Sequence, residues 1–83
     1  MNKIINEFNQ IIQWPSKKSD KDFIIKWLSE KFIYNKKYSE LEINKIINQY
    51  HLFDDVPLLR RELVSRKYLN RKDNGSIYWK NKP

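Results

Sequence analysis

LRRELVSRKYLNRKDNGSIYW, residues 59–79, is the stretch that decides the fold, because it joins a helical apolar pattern to a hairpin signal. Just before it, Asp55 is a good helix N-cap. Pro57 is tolerated in the first turn, since its missing N–H would have no helical partner. The spacing predicts a helix from Asp55 to about Arg66, followed by a hairpin.

Asn74-Gly75 is a strong hairpin signal, and it predicts a tight turn in which both residues adopt positive φ. The flanking strands are expected at 68–72 and 76–80. This register places Lys72 opposite Ile77 and Asn70 opposite Trp79. It also places Arg71 opposite Tyr78, where the guanidinium could stack on the ring.

Upstream, apolar spacing and capping residues predict further elements. Ile4, Ile5, Phe8, Ile11 and Ile12 favour a first helix, 3–13, that stops before Pro15. The next elements are a helix from a Ser19–Asp22 capping box to about Lys31, a short strand over 34–38, and a helix from Glu40 to Gln49 or Tyr50 capped by Ser39 and Glu42.

This order predicts a single domain over residues 1–83, mainly α with a small β-sheet. We interpret it as a winged helix-turn-helix, with a core over 19–80 and an extra N-terminal helix over 1–13. The alternative is an unrelated helical bundle with a C-terminal hairpin. The first helix is expected to pack on its own core through Phe8 and Trp14. Alternatively, it swaps onto a second copy and builds a homodimer.

Composition narrows the function classes. The chain has 83 residues, no cysteine and a formal net charge of +7. Disulfides and thiolate chemistry are therefore excluded, and polyanionic partners are favoured. No apolar run is long enough to cross a membrane, and no signal peptide is evident, so a cytoplasmic location is expected.

Four motifs, WPSKK, YSELEIN, FDDVPLLRRELVSRKYL and DNGSIYW, resemble in this order the bacterial domain of unknown function two-thousand-and-eighty-seven. The similarity covers Trp14 to Trp79. It implies a winged helix of the kind found alongside bacterial transcription regulators, with no established biochemical activity. Leu41, Pro57 and Leu58 depart from the family pattern. The matching positions are Trp14, Pro15, Lys17, Tyr38, Glu40, Glu42, Asn44, Asp55, Leu59, Arg60, Arg61, Leu63, Gly75, Tyr78 and Trp79.

Arg60 falls inside the apolar arc of its helix, about 100° from Leu59. A partly desolvated guanidinium needs a carboxylate, and the candidates are Asp55, Glu42 and Glu40. We therefore expect Arg60 to be an internal tie, whose replacement by alanine would cost about 3 to 5 kcal/mol. The residues assigned structural roles are Trp14, Glu42, Asp55, Arg60, Arg71 and Tyr78.

The outer arc of the same helix carries Arg61 and Ser65, which suit base edges in a DNA major groove. Glu62 and Leu58 share that arc and suit DNA less well. Phosphate contacts could come from basic side chains on neighbouring elements. The predicted nucleic-acid-binding residues are Arg61, Ser65, Lys45, Lys72 and Lys80, although a solvated surface explains scattered lysines equally well.

The sequence thus favours a small DNA-binding protein that regulates transcription through helix 55–66 and the wing, 68–80. The alternative is a protein-interaction module that uses Leu41 and Leu58. A more distant alternative is an RNA binder that uses exposed aromatic residues. Catalysis is not expected, because His51 is the one histidine and the aspartates before Pro57 are explained as caps. No cofactor or metal is expected.

Overall fold

Three amphipathic stretches form helices, and three short runs pair as strands. The computed structural model describes residues 4–80. Its elements are α1 Lys18–Ser29, β1 Lys37–Ser39, α2 Glu40–Gln49, α3 Val56–Ser65, β2 Asn70–Arg71 and β3 Ile77–Trp79. The predicted class, mainly α with a small sheet, is confirmed, and the order of elements is consistent with a winged-helix-like fold. No helix within residues 4–80 is long and apolar enough to cross a membrane.

The sheet is antiparallel, with β3 between β1 and β2. On one side Tyr38 of β1 lies opposite Tyr78. On the other side Arg71 lies opposite Tyr78 and Asn70 lies opposite Trp79, which confirms the predicted register. The strand predicted over 34–38 is displaced to Lys37–Ser39, and Tyr34 forms a separate bridge with Lys80.

The hairpin turn differs from the expectation in its backbone. Gly75 N–H donates to the Lys72 carbonyl at 2.8 Å, so the turn closes over Asp73 and Asn74. Gly75 has φ +72°, whereas Asn74 is not among the described residues with positive φ. The Asn74 carboxamide oxygen instead accepts from Ser76 N–H. A turn followed by one left-handed glycine therefore preserves the register that the tighter turn was predicted to give.

The core lies where the three helices and the inner face of the sheet meet. Each fully buried aliphatic side chain contributes about 1.5 to 3 kcal/mol by leaving water. The sheet supplies two buried tyrosines, Tyr38 and Tyr78. The helices supply Ile24, Ile25, Leu28, Ile43, Ile47, Leu59 and Leu63.

The helix predicted over Lys3 to Gln13 is wrong for the described residues, 4–13, and Lys3 lies outside them. Ile5 and Ile11 instead form an antiparallel bridge. The turn between them is stabilised by Asn6, whose carboxamide oxygen accepts from the N–H groups of Phe8 and Gln10 at 2.9 Å each. Asparagine commonly closes turns in this way, and that local preference competes with helix formation.

This N-terminal segment packs on the chain's own core. Ile11 N–H donates to the Tyr50 carbonyl at 2.7 Å, and the Ile11 carbonyl accepts from Leu52 N–H at 2.9 Å. Ile4 and Ile11 are buried, and Trp14 packs against the core as expected. Phe8 does not, because its side chain is 74% exposed.

Two of the three predicted caps are present. Ser39 and Glu42 form the capping box of α2, and the Asp55 carboxylate accepts from Leu58 N–H at the start of α3. The Ser19–Asp22 box is wrong, because α1 begins at Lys18 and its N-cap makes no side-chain hydrogen bond. Helix α1 ends at Ser29, after which tighter turns carry the chain to Phe32.

Candidate nucleic-acid interface

An open cleft lies between α3 and the hairpin, with a volume of about 360 Å³. It is lined by Glu40, Arg60, Arg61, Val64, Ser65, Arg71 and Tyr78. Three of these residues are arginines, and within residues 4–80 Glu40 is the one acidic residue in the lining. The cleft therefore has a surplus of positive charge.

Helix α3 presents Arg61 and Ser65 to this cleft because of its helical period. Leu59 and Leu63 are fully buried, which fixes the inner face of the helix against α1 and α2. Arg61 and Ser65 each lie two residues beyond a buried leucine and are both exposed. The face that the sequence assigned to DNA is thus open to solvent.

Arg71 reaches the same cleft from β2. It pairs in register with Tyr78, so both side chains lie on the sheet face nearest α3. The Arg71 Nη1 atom lies 2.9 Å from the position that a Cβ on Gly75 would occupy. Because Gly75 has no side chain, the Arg71 guanidinium can lie over the turn.

The predicted stack of Arg71 on Tyr78 is wrong. No cation–π contact joins the two residues in the part of the chain that the structure describes. The Tyr78 ring is buried, and its hydroxyl donates to Glu40 Oε1 at 3.2 Å. Within residues 4–80 neither Arg61 nor Arg71 forms an ion pair, so both guanidinium groups are available to an external anion.

Arg60 is the internal tie that its helical position indicated. Its Nη1 donates to the Asn44 carboxamide oxygen at 2.6 Å, and its Nε lies 3.9 Å from Glu40 Oε1. Of the three candidate carboxylates only Glu40 takes this place, because Glu42 and Asp55 cap helices. The position of Arg60 in the apolar arc indicates a need for a polar partner, but it does not distinguish the Asn44 carboxamide from a carboxylate.

The loss of about 3 to 5 kcal/mol in the free energy of unfolding that the sequence predicts for Arg60→Ala is too large. The Arg60 side chain is 20% exposed and the Glu40 side chain 49% exposed, so neither is a fully desolvated charge. Solvent screening reduces the worth of such a pair. Replacement by alanine should instead cost about 1 to 2 kcal/mol, mainly through the lost hydrogen bond to Asn44.

Arg66 is a structural residue that sequence reasoning missed. Its Nε donates to Glu62 Oε1 at 2.8 Å, and its Nη1 also contacts the Asp22 carboxylate on α1. The spacing of Glu62 and Arg66, one helical turn apart, was the available signal. Because this one guanidinium serves two carboxylates, it screens the charge of Glu62 only in part.

Lys45 is exposed on α2, beside a second shallow depression. Arg60 lines this depression as well as the cleft, so the two surfaces adjoin. The other lining residues are Asn44, Asn48, Val56 and Pro57. Lys45 therefore extends the positive surface along the start of α3.

The two predicted wing lysines have different environments. Lys72 is exposed, but it lies on the opposite sheet face from Arg71, in a depression with Lys37, Ile77 and Trp79. Lys80 is only 7% exposed. Its ammonium group donates to the Ser29 carbonyl at 2.8 Å and lies 4.2 Å from the centre of the Tyr34 ring.

The prediction that Lys80 contacts a phosphate is therefore wrong. Its ammonium group is occupied at the C-terminal end of α1, where a cation favourably meets helix carbonyls. Sequence position alone placed it on the wing, and its burial depends on the tertiary contact with Ser29 at the end of α1.

His51 and Glu42 stabilise the ends of α2 and the start of α3. The backbone N–H of Asp55 donates to His51 Nε2 at 3.0 Å. His51 Nδ1 therefore carries the proton and donates a hydrogen bond to the Ile47 carbonyl.

The hydrogen bond from Ser39 N–H to Glu42 lowers the pKa of that carboxyl below its ordinary value of 4.5. No group of three metal-binding side chains is present within residues 4–80.

A family model described as "Uncharacterized protein conserved in bacteria (DUF2087)" matches residues 10–80. The chain therefore belongs to this family. The match begins within the N-terminal segment and ends at Lys80, so it includes the helices, the sheet and the cleft. No curated protein and no solved structure matches the chain.

Proposed function

We propose that this chain is a small DNA-binding protein that regulates transcription, and that it binds double-stranded DNA through α3 and the hairpin. One observation carries the proposal. Arg61 of α3 and Arg71 of β2 come from separate elements, line one open cleft and form no ion pair within residues 4–80. Guanidinium groups arranged in this way suit phosphate oxygens and base edges.

The surrounding side chains fit this role. Arg61 could donate to a phosphate oxygen, and Ser65 could accept from or donate to a base edge one turn further along α3. Lys45 lies beside the start of α3 and Arg71 beside its later turns, and both could contact the phosphate backbone. The net charge of +7 would add a long-range attraction to any nucleic acid.

The test is binding of fluorescently labelled random duplex DNA, measured by anisotropy in about 50 mM salt, where non-specific affinity is near micromolar. The Arg61→Ala, Arg71→Ala double variant should bind at least about tenfold more weakly than the parent, because it loses both unpaired guanidinium groups of the cleft. The matched control is Lys18→Ala, Lys26→Ala. This control loses the same net charge from α1, at positions that do not line the cleft.

If both double variants lost DNA affinity equally, the loss would be explained by net charge alone, and an interface in the cleft would be contradicted. No binding by the parent would contradict DNA binding altogether. In that case the alternative proposal, a protein-interaction module, would be favoured. Leu41 is 64% exposed and supports that alternative, whereas Leu58 is half-buried and supports it less.

A further inference from the structure

Glu40 occupies the cleft as an anion that is only loosely held. It is the first residue of α2, and its Oε1 accepts from the Tyr78 hydroxyl at 3.2 Å. Its separation from Arg60 Nε is 3.9 Å, which is longer than a charge-assisted hydrogen bond of about 2.7 to 2.9 Å. Half of the Glu40 side chain is exposed. The carboxylate can therefore leave this position at little cost.

The groups that contact Glu40 would not be stranded by its departure. Arg60 keeps its 2.6 Å hydrogen bond to Asn44. The Tyr78 hydroxyl can donate to any other acceptor that enters the cleft. Arg61 and Arg71 already lack a carboxylate partner within residues 4–80. Arg61, Arg71 and the Tyr78 hydroxyl, which come from three different elements, could therefore donate to a second anion in the cleft.

We infer that this cleft is a site for one phosphate group, held by Arg61, Arg71 and the Tyr78 hydroxyl, and that Glu40 is its built-in competitor. The inference rests on the proposed function in one respect: it takes the phosphate to be a phosphodiester of the DNA backbone. Glu40 lowers the positive potential of the cleft and occupies one of its donors, the Tyr78 hydroxyl. Glu40 therefore sets the affinity of the site below what its arginines alone would give.

The test compares Glu40→Gln with the parent. Glutamine has nearly the same shape and keeps an oxygen that can accept from the Tyr78 hydroxyl, so the fold should survive. The matched control is Glu30→Gln, which makes the same change in net charge at an exposed position after α1, away from the cleft. Each protein is titrated with inorganic phosphate, followed by NMR of backbone and arginine N–H groups, and with duplex DNA, followed by anisotropy.

Glu40→Gln should bind both inorganic phosphate and duplex DNA about 3- to 10-fold more tightly than Glu30→Gln. This estimate follows from removing one like charge about 5 Å from the phosphate in a mostly aqueous cleft. Phosphate should shift the N–H signals of Arg61 and Arg71 in all folded variants. Equal affinities of the two glutamine variants for both ligands would overturn the inference. Phosphate-induced shifts in the parent that are confined to residues other than Arg61 and Arg71 would also overturn the inference, whatever the variants show.

The two proposals can fail separately. If phosphate binds in the cleft more tightly to Glu40→Gln while duplex DNA does not bind, the phosphate site stands with a different phosphate-bearing ligand and DNA binding is refuted. If DNA binds equally to both glutamine variants and phosphate leaves the cleft signals unmoved, DNA binding stands and the phosphate site is refuted.

Discussion

His51 shows how one imidazole can determine the geometry between two helices. It is buried, accepts from the N–H of Asp55 and shares its own proton with the carbonyl of Ile47. These contacts join the last turn of α2 to the N-cap of α3. A histidine that seemed a weak candidate for catalysis in the sequence is thus explained by the connection it makes.

His51→Leu should lower the free energy of unfolding by about 1 to 3 kcal/mol, the cost of leaving one donor unsatisfied. The leucine keeps apolar volume but leaves the Asp55 N–H without its acceptor, whereas the Ile47 carbonyl still accepts from the Tyr50 N–H. Urea denaturation measures the change, with the exposed Asn48→Ala on α2 as the control. A His51→Leu midpoint equal to that of the control would contradict this role.

Gly75 is the residue at which turn geometry and the candidate interface meet. Gly75→Ala places a Cβ at φ +72° and only 2.9 Å from Arg71 Nη1. The backbone conformation should cost about 1 kcal/mol, and the flexible guanidinium should move away from the cleft. We expect a slightly lower stability together with weaker DNA binding, measured by urea denaturation and anisotropy. The exposed neighbour Ser76→Ala should change neither, and unchanged DNA affinity in Gly75→Ala would argue against Arg71 as a contact.

At the scale of elements, α2 begins with a titratable cap. The Glu42 carboxylate accepts from Ser39 N–H at 2.8 Å, and this hydrogen bond is the main cause of its lowered pKa. A carboxyl whose pKa is lower in the folded state stabilises the fold above its unfolded pKa and loses that contribution as pH falls through the folded pKa. The cap should therefore weaken in acid.

The parent should be more stable than Glu42→Gln at pH 7, and the difference should shrink as the pH falls below about 4.5, the ordinary value for this group. Urea denaturation at several pH values would measure it. Glu30→Gln, which changes an exposed glutamate without this contact, should show no such convergence. A difference between the parent and Glu42→Gln that stays constant down to pH 3 would show that the charge of Glu42 plays no part in the cap.

Elements with strong local signals were predictable. Helix α2 has a capping box and α3 has an aspartate cap with Pro57 in its first turn, and both begin where the sequence indicated. The hairpin register also followed from the position of Gly75. In each case neighbouring residues in the sequence supply the decisive interaction.

Elements that depend on distant contacts were not predictable in the same way. The isoleucines before Pro15 have helical spacing, but Asn6 closes a turn and Ile11 joins the backbone beside His51. Lys80 lies at the end of the predicted wing, but its side chain is buried against the end of α1. Local periodicity carries no information about these tertiary partners.

At the scale of the whole molecule, the candidate cations are spread over three surfaces. Arg61 and Arg71 lie in the cleft, Lys45 lies beside it, and Lys72 lies on the far face of the sheet. With Lys80 excluded and the two arginines sharing one phosphate, about three phosphates could be contacted. Each contact should contribute about −0.9 to the slope of log affinity against log salt.

The most direct test is therefore the salt dependence of duplex DNA binding, measured for the parent, for Arg61→Ala, Arg71→Ala and for the control Lys18→Ala, Lys26→Ala. We predict a slope of about −3 for the parent and the control, and about −2 for the cleft variant, because counterion release falls with each lost contact. A parent affinity independent of salt, or a cleft variant with the same slope as the control, would contradict an interface built from α3 and the hairpin.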